Sequence, residues 1–407
     1  MRRKGLMLVA VLLVAWMAGW VAAGEQAAEK PRNIILIGWD AAQREHVQQC
    51  LDKGELPVLK QLAAEGKLVD IDIRGTTDTK AGWTQILTGY DPDVTGVYSN
   101  GRFQPAPKGL SVFERLKEAF GADKFACVAV IGKKQHCGEI TPPSKVEISA
   151  EQAAKAREQG KKAGKGAAKA GKGAGKAAAA DPAAGAGIDA GKDRSGKVVG
   201  QGAATVGNKI LEENGKFYRV FPGSPYYIMK DACDEWIFGL MEDEKVGATA
   251  LEKLDKYKDK PFFFFVHFAT VDHKGHRSGE NSKEYNDALI SNDAWTGKII
   301  QKLKDLGLYD KTAVYVTADH GFDEDGKGHK KAPYVFLAAN DKAVCRNGDR
   351  ADITPTLLDR FGLDLSKFSP PLAGHSLRRP LEKKVSGTFF PETFTMWAFS
   401  ALAEKGS

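Results

Sequence analysis

The sequence predicts an α/β fold with a mostly parallel central sheet and helices on both faces. Three observations carry this. Continuous apolar runs, rich in β-branched and aromatic residues, alternate with amphipathic helical stretches along most of the 407 residues. The runs lack the apolar–polar alternation of a sheet with one wet face, so both faces must be covered. Three of them stop abruptly at an aspartate. In open sheets of this kind ligands bind beyond the carboxyl ends of the strands.

Each element follows in order. NIILIGW (33–39) is a buried strand ending in Asp40. A helical pattern runs from about Ala42 to Glu65, and KLVDIDI (67–73) is a second strand. AGWTQILTG (81–89) is a short helix, LSVFERLKEAFG an amphipathic one, and KFACVAVIG the next strand. Between 161 and 187 the composition collapses to Lys, Ala and Gly, with almost nothing to bury. That reads as a disordered or partly helical surface insertion, a polyanion-binding arm being the alternative. Order is expected again from about Lys197. DEWIFGLMEDEKVGATALEKLDKY is read as helical and PFFFFVHFATV as a long buried strand. KEYNDALISNDAWTGKIIQKLKDLG forms a helix with Gly307 at its C-cap. TAVYVTA and APYVFLAA are further strands, and DITPTLLDRFGL a late helix.

The organisation is therefore a signal segment (1–23), one discontinuous α/β domain (24–150 and 193–380), a low-complexity insertion (151–192) and a tail (381–407). Arg2, Arg3 and Lys4 precede the apolar run Gly5 to Ala23, and Val21-Ala22-Ala23 offers a cleavage pattern. The segment reads as a cleaved export signal, with an uncleaved anchor as the alternative; either way the body is exported, to the periplasm or outside. The formal charge of +7 belongs to the appendages. Residues 151–200 hold eleven Lys or Arg against five Asp or Glu, and Arg2, Arg3 and Lys4 add +3, leaving −2 for everything else. A near-neutral body argues against a specific nucleic-acid complex. The five cysteines, Cys50, Cys127, Cys137, Cys233 and Cys345, include no CxxC or zinc-finger spacing. Their odd number leaves at least one thiol, and Cys127 reads as a core thiol.

The chemistry gathers at the strand ends. Asp40 closes the first run. Asp272 closes the phenylalanine run, with His276 four residues on. Asp319 and His320 close TAVYVTA, and His329 follows in GKGH. Three Asp and three His converge on one sheet edge. Mixed carboxylate and imidazole ligands suit zinc or a similar divalent ion, and six exceed one tetrahedral site, which implies two ions. Between the first two ligands lies TTDTKAGWTQILTG (76–89). Thr79 stands at the start of a helix, where free N–H groups favour an attacking alkoxide and a phosphoryl oxygen. Local sequence alone leaves Thr79, Thr77 and Asp78 equally readable as the helix N-cap.

These residues resemble the alkaline phosphatase superfamily, and most closely its type I phosphodiesterase/nucleotide pyrophosphatase branch, with sulfatase-like detail. The resemblance runs from Asn33 to Leu377 around the insertion. In that family the nucleophile stands ten residues before the Gly of a Thr-Gly pair, which selects Thr79 before Thr88-Gly89. An Asn after a following Gly binds the phosphoryl oxygen, which selects Asn100 in TGVYSN. The resemblance implies that Asp272, His276 and His329 hold one zinc, and that Asp40, Thr79, Asp319 and His320 hold the other. VIGKKQHCGE (130–139) resembles a sulfatase stretch and makes Lys133, Lys134 and His136 candidate substrate contacts. Lys192 and Arg194, in GKDRS, are similar to a Lys-x-Arg pair of phosphate-monoesterase relatives. Where sulfatases carry a convertible Cys or Ser and an Arg, this chain reads TKAGW.

The implied activity is metal-dependent hydrolysis of a small phosphate ester, mono- or diester. A phospho-group transferase, a sulfatase-like hydrolase and a non-enzymatic metal-binding relative are the alternatives. Trp83 is expected to wall a second ester group. His267 is expected in the core or beside the site, His273 in a loop beside the ligands, His46 on a helix surface, and His375 in a C-terminal structural motif.

Overall fold

A computed structural model describes residues 32–158 and 209–381. Its core is a seven-stranded sheet. In chain order the strands are β1 (Asn33–Trp39), β2 (Lys67–Asp72), β3 (Ala126–Ile131), β7 (Glu235–Phe238), β8 (Phe262–Phe268), β9 (Thr312–Thr317) and β10 (Tyr334–Ala339). A second, three-stranded sheet holds β4 (Ser144–Ile148), β5 (Lys209–Glu213) and β6 (Lys216–Phe221). The large sheet runs β2-β10-β9-β1-β8-β3-β7. Every pairing from β9 to β7 is parallel; β10 alone is antiparallel to both its neighbours.

Continuous apolar runs become fully buried strands. All seven residues of β1 and of β8 are buried, as are all six of β9. Helices cover the faces; Asp243–Tyr257 packs on β8 and β3, and Lys283–Asp305 on β1. The topology explains the convergence of aspartates. β1 lies between β8 and β9, parallel to both. Gly38 is level with His267 on one side and Thr317 on the other. Chains leaving these three strands emerge side by side at one edge.

Four expectations need correction or limits. The helical pattern from 42 to 65 is two helices, Arg44–Asp52 and Pro57–Glu65. Gly54, at φ +76°, turns the chain between them, and Pro57 starts the second where a missing N–H costs nothing. The first residues of DEWIFGL form β7, because pairing beside β3 satisfies their backbone, and the helix begins only at Asp243. No sequence pattern marks the small sheet, whose strands are short; β4 is largely exposed and β6 mostly half-buried. Residues 151–158 of the expected insertion are helical, and Ala153 and Ala156 are buried. The signal segment, residues 159–208 and the tail beyond 381 lie outside the described residues. All five cysteines are free thiols.

Candidate active site

The site is built from the ends of β1, β8 and β9 and from the helix Thr79–Thr88, here α1. Asp40 leaves β1 completely buried. Trp83 Nε1 donates to its Oδ2 at 3.1 Å, and His267 Nε2 lies 2.8 Å from the same oxygen. Lys133 Nζ lies 2.8 Å from Oδ1. Burial would raise the Asp40 carboxyl, but Lys133, then His267, hold it well below the usual range. The next residue, Ala41, sits at φ +67°, and its N–H donates to Asp319 Oδ1 at 3.3 Å. Such a left-handed residue costs strain, and here it turns the chain so that two carboxylates meet. Among the described residues no lysine or arginine forms an ion pair with Asp319, although Lys133 and Arg350 act on it through space. Burial and the charge of Asp40 push its carboxyl well up.

Thr79 opens α1 and is 1% exposed. Its Oγ1 lies 3.2 Å from His320 Nε2 and 3.0 Å from Lys133 Nζ. Asp78 is the N-cap residue but makes no side-chain cap bond; its carboxylate accepts the Asn100 N–H instead. Asn100 Oδ1 accepts the Lys80 N–H at 2.9 Å. That leaves the amide N–H groups of Asn100 free of this helix contact. His320 Nδ1 lies 2.9 Å from the Gly321 carbonyl, so Nδ1 carries the proton and Nε2 presents its lone pair to the site. Burial lowers the His320 pKa to about 4, so its ring is neutral.

The six aspartates and histidines form two groups. Asp40, Asp319 and His320 bring ligand atoms within 4.8 Å of one another, and so do Asp272, His276 and His329. The rings of His320 and His329 stack at 4.0 Å and join the groups. Lys133 also joins them, with Nζ 3.0 Å from Asp272 Oδ2. Burial would lower Lys133, but Asp272, Asp40 and Asp319 raise it. The donor sets fit divalent cations. Among the described residues, Asp319 Oδ2 and His329 Nδ1 are buried without a hydrogen-bond partner, which an all-protein site would not tolerate cheaply. Oxygen and imidazole donors in this mixture suit zinc-type ions.

The other candidates divide. His136, at φ +72°, is half-buried, and its pKa is lowered by burial and by Lys80 and Lys133. Lys134 is exposed on the same turn. Lys192 and Arg194 lie outside the described residues. Trp83 cannot wall a substrate: it is fully buried, its indole bonds Asp40 and its ring packs on His267 and Phe265. Gly38 makes room for it, since a Cβ there would lie 2.3 Å from the indole. His46 is not on the surface but pairs with buried Glu280 at 2.7 Å. His267 touches Asp40, His273 is half-buried within a helix rather than a loop, and His375 is exposed.

Two residues were missed. Lys80 is 4% exposed, with Nζ 2.8 Å from Glu139 Oε1 and 4.2 Å above the Phe103 ring. Its adjacency to Thr79 at a helix start was the available signal. Arg350 is 2% exposed and donates to Gln85 Oε1, the Asp319 carbonyl and the Thr76 carbonyl. It braces α1 against the end of β9, and no local pattern marks it. Gly82 permits that contact, since a Cβ there would lie 2.9 Å from both Arg350 Nη1 and Asp319 Cβ.

Known proteins share parts of this chain. Over 138 residues it is 28% identical to a 2,3-bisphosphoglycerate-independent phosphoglycerate mutase of Clostridium kluyveri, covering 31% of this chain and 26% of that one. Over 102 residues it is 31% identical to GPI ethanolamine phosphate transferase 1 of Chaetomium globosum, covering 24% and 11%. The matches thus span about a quarter or less of these curated relatives' lengths. Among solved structures, an alkaline phosphatase superfamily protein from Vibrio parahaemolyticus superposes with a TM-score of 0.47 at 16% identity, covering 86% of this chain and 71% of that one. The lipoteichoic acid synthase LtaP from Listeria monocytogenes gives 0.46 at 13% identity, covering 86% and 73%. A family profile described as Type I phosphodiesterase / nucleotide pyrophosphatase matches residues 34–335, well over half the sequence. The chain belongs to that family.

Proposed function

We propose that the protein is an exported hydrolase of small phosphate esters with Thr79 as its nucleophile. The observation that carries this reading is the placement of Thr79 Oγ1. It lies at a helix start, within 3.2 Å of both a buried ammonium and a neutral imidazole, beside two cation-type ligand groups. Thr79 Oγ forms a bond to phosphorus as the ester oxygen leaves, giving a phosphothreonine that water then cleaves. The Thr79 proton passes to solvent; the ammonium of Lys133 and the N-terminus of α1 favour the ionised hydroxyl. Asn100 holds a phosphoryl oxygen with its side-chain amide, and Lys133 neutralises equatorial charge. Lys134 and His136, on the turn after β3, are the further candidate contacts to the substrate.

Two divalent ions, which we assign as zinc, would be held by Asp40, Thr79, Asp319 and His320 and by Asp272, His276 and His329, and would supply Lewis acidity for the entering and departing oxygens. Metal analysis of the purified protein, with reconstitution by zinc, calcium and magnesium in parallel, tests the assignment. Turnover restored only by calcium would overturn zinc.

The reaction class is tested on the chain from residue 24 with p-nitrophenyl phosphate, bis-p-nitrophenyl phosphate and p-nitrophenyl sulfate. The expected result is a phosphate-ester rate far above the sulfate rate. A dominant sulfate rate would remove Thr79 from its role. A second reading, transfer of the phospho-group to an alcohol acceptor, draws on the match to an ethanolamine phosphate transferase. Added glycerol would then divert product into a glycerol phosphate ester, whereas a hydrolase would release mainly the water product.

A further inference from the structure

Away from the catalytic edge, a cleft of about 840 Å³ opens between the helix Val112–Phe120 and the segment 363–370. Its lining is largely apolar and includes Val94, Leu110, Leu363 and Phe368. One wall, however, is a cation. Arg115 is 5% exposed, and its guanidinium stacks on the Phe368 ring at 4.1 Å. Nε donates to the Leu110 carbonyl and Nη2 to the Tyr90 hydroxyl, which itself donates to the Pro370 carbonyl.

Every one of these acceptors is neutral. A buried arginine normally has a carboxylate beside it, because an unpaired charge removed from water is costly. Glu114 and Glu118 lie on the same helix, yet neither forms an ion pair with Arg115; Glu114 is committed to capping Ser111. Among the described residues Nη1 has no hydrogen-bond partner, and it is not among the sealed polar atoms. Two carboxylates line the cleft, Glu118 and Asp364; Asp364 is matched by Lys367 at 3.6 Å, and neither forms an ion pair with Arg115. Lys108 is exposed at the rim and adds positive charge.

We propose that this cleft is a second ligand site for a small amphiphile. Its oxyanion head, a carboxylate or a phosphoryl group, pairs with Arg115 Nη1, and its apolar body lies against Val94, Leu110, Leu363 and Phe368. The charge-assisted bond supplies the counterion that Arg115 lacks, and the apolar wall supplies affinity that a bare anion would not gain. The site does not depend on the chemistry at Thr79.

Isothermal titration of the full chain with decylphosphonate and decanoate tests this, with decanol and inorganic phosphate as controls. Both amphiphiles should bind at one site, each control at least about tenfold more weakly, and Arg115→Met should weaken amphiphile binding about tenfold or more. The two heads distinguish a phosphoryl from a carboxylate preference. Leu363→Trp fills the cleft while leaving Arg115 in place, and it should abolish binding as well. Turnover of p-nitrophenyl phosphate should be unchanged in both variants. Binding retained in both variants would place the amphiphile elsewhere and overturn the proposal. So would a wild-type chain that binds neither amphiphile, with binding gained in Glu118→Gln, since Glu118 would then be the counterion in solution.

Discussion

The two ligand groups are alike in chemistry and unlike in setting. Asp40, Asp319 and His320 are wholly buried, fixed on the ends of the two central strands β1 and β9. Asp272 and His276 sit in the first and last turns of the short helix Thr270–Ser278 and His329 in a loop, and the His276 side chain is 46% exposed. The sealed group is held by covalently short connections to the sheet. The open group depends on loop contacts such as His276 Nδ1 to the Lys327 carbonyl. Burial also makes the sealed group electrostatically frustrated. Among the described residues Lys133 is the one ammonium shared by Asp40, Asp272 and Asp319, and burial with the charge of Asp40 leaves Asp319 with a strongly raised pKa. A group of this kind is unstable alone and gains most from a bound cation.

The largest expected effect lies on the sealed side. Thr79→Ala should lower turnover of phosphate esters by roughly 10⁴-fold or more, a loss far larger than any drop in metal content, because Asp40, Asp319 and His320 remain to hold the sealed cation. Full activity in this variant would remove the nucleophile. Next, Asp319→Asn should lower turnover by about 10³-fold and strip the sealed group of its cation. The metal-free variant should nevertheless melt no lower than metal-free wild type, because a frustrated carboxylate has gone. His276→Ala should weaken cation binding by about 10- to 100-fold at the open group only, read by chelator competition. Equal losses from the Asp319 and His276 variants would break the distinction between the groups.

Smaller effects sharpen it. Arg350→Lys keeps the charge but loses the three-way fork to Gln85, Asp319 and Thr76. It should lower kcat by about 10- to 100-fold with KM and metal content nearly unchanged, the signature of a misplaced α1, which carries the proposed nucleophile. A matching rise in KM would make Arg350 a substrate contact instead. The smallest effect uses a buried acid outside the site. Asp293 accepts the Val58 and Leu59 N–H groups, yet burial pushes its pKa up to about 6. A raised pKa means that its stabilising contribution is present at pH 4 and is lost as the pH rises through about 6. Urea melts of Asp293→Asn at pH 4.5 and 7.5 should differ less than those of wild type, by on the order of 1–2 kcal/mol.

Residue by residue, legibility tracked how local each signal was. Asp40, Asp272 and Asp319 could be read because each interrupts an apolar run where a buried strand must leave the sheet. The structure brings them together with His276, His320 and His329. Thr79 could be found but not separated from its neighbours by local sequence. Trp83 was misread because a helix pattern does not say which side chain faces a glycine on a neighbouring strand. The strand Glu235–Phe238 was read as helix because four apolar-rich residues acquire their conformation from pairing with β3. Arg350 leaves no local pattern, since its role is contacts with a distant side chain and two carbonyls, and Lys80 is marked only by its place beside Thr79.

Sequence alone therefore determined the α/β class, the strand ends that carry chemistry and the residue types collected there. Those follow from burial and period, which act over a few neighbouring residues. Tertiary structure alone decided that β1 lies between β8 and β9, that one ligand group is sealed and the other open, and that Lys133 stands between them. Those depend on strand order and side-chain direction, and the free energy that sets them comes from contacts between residues far apart in the chain.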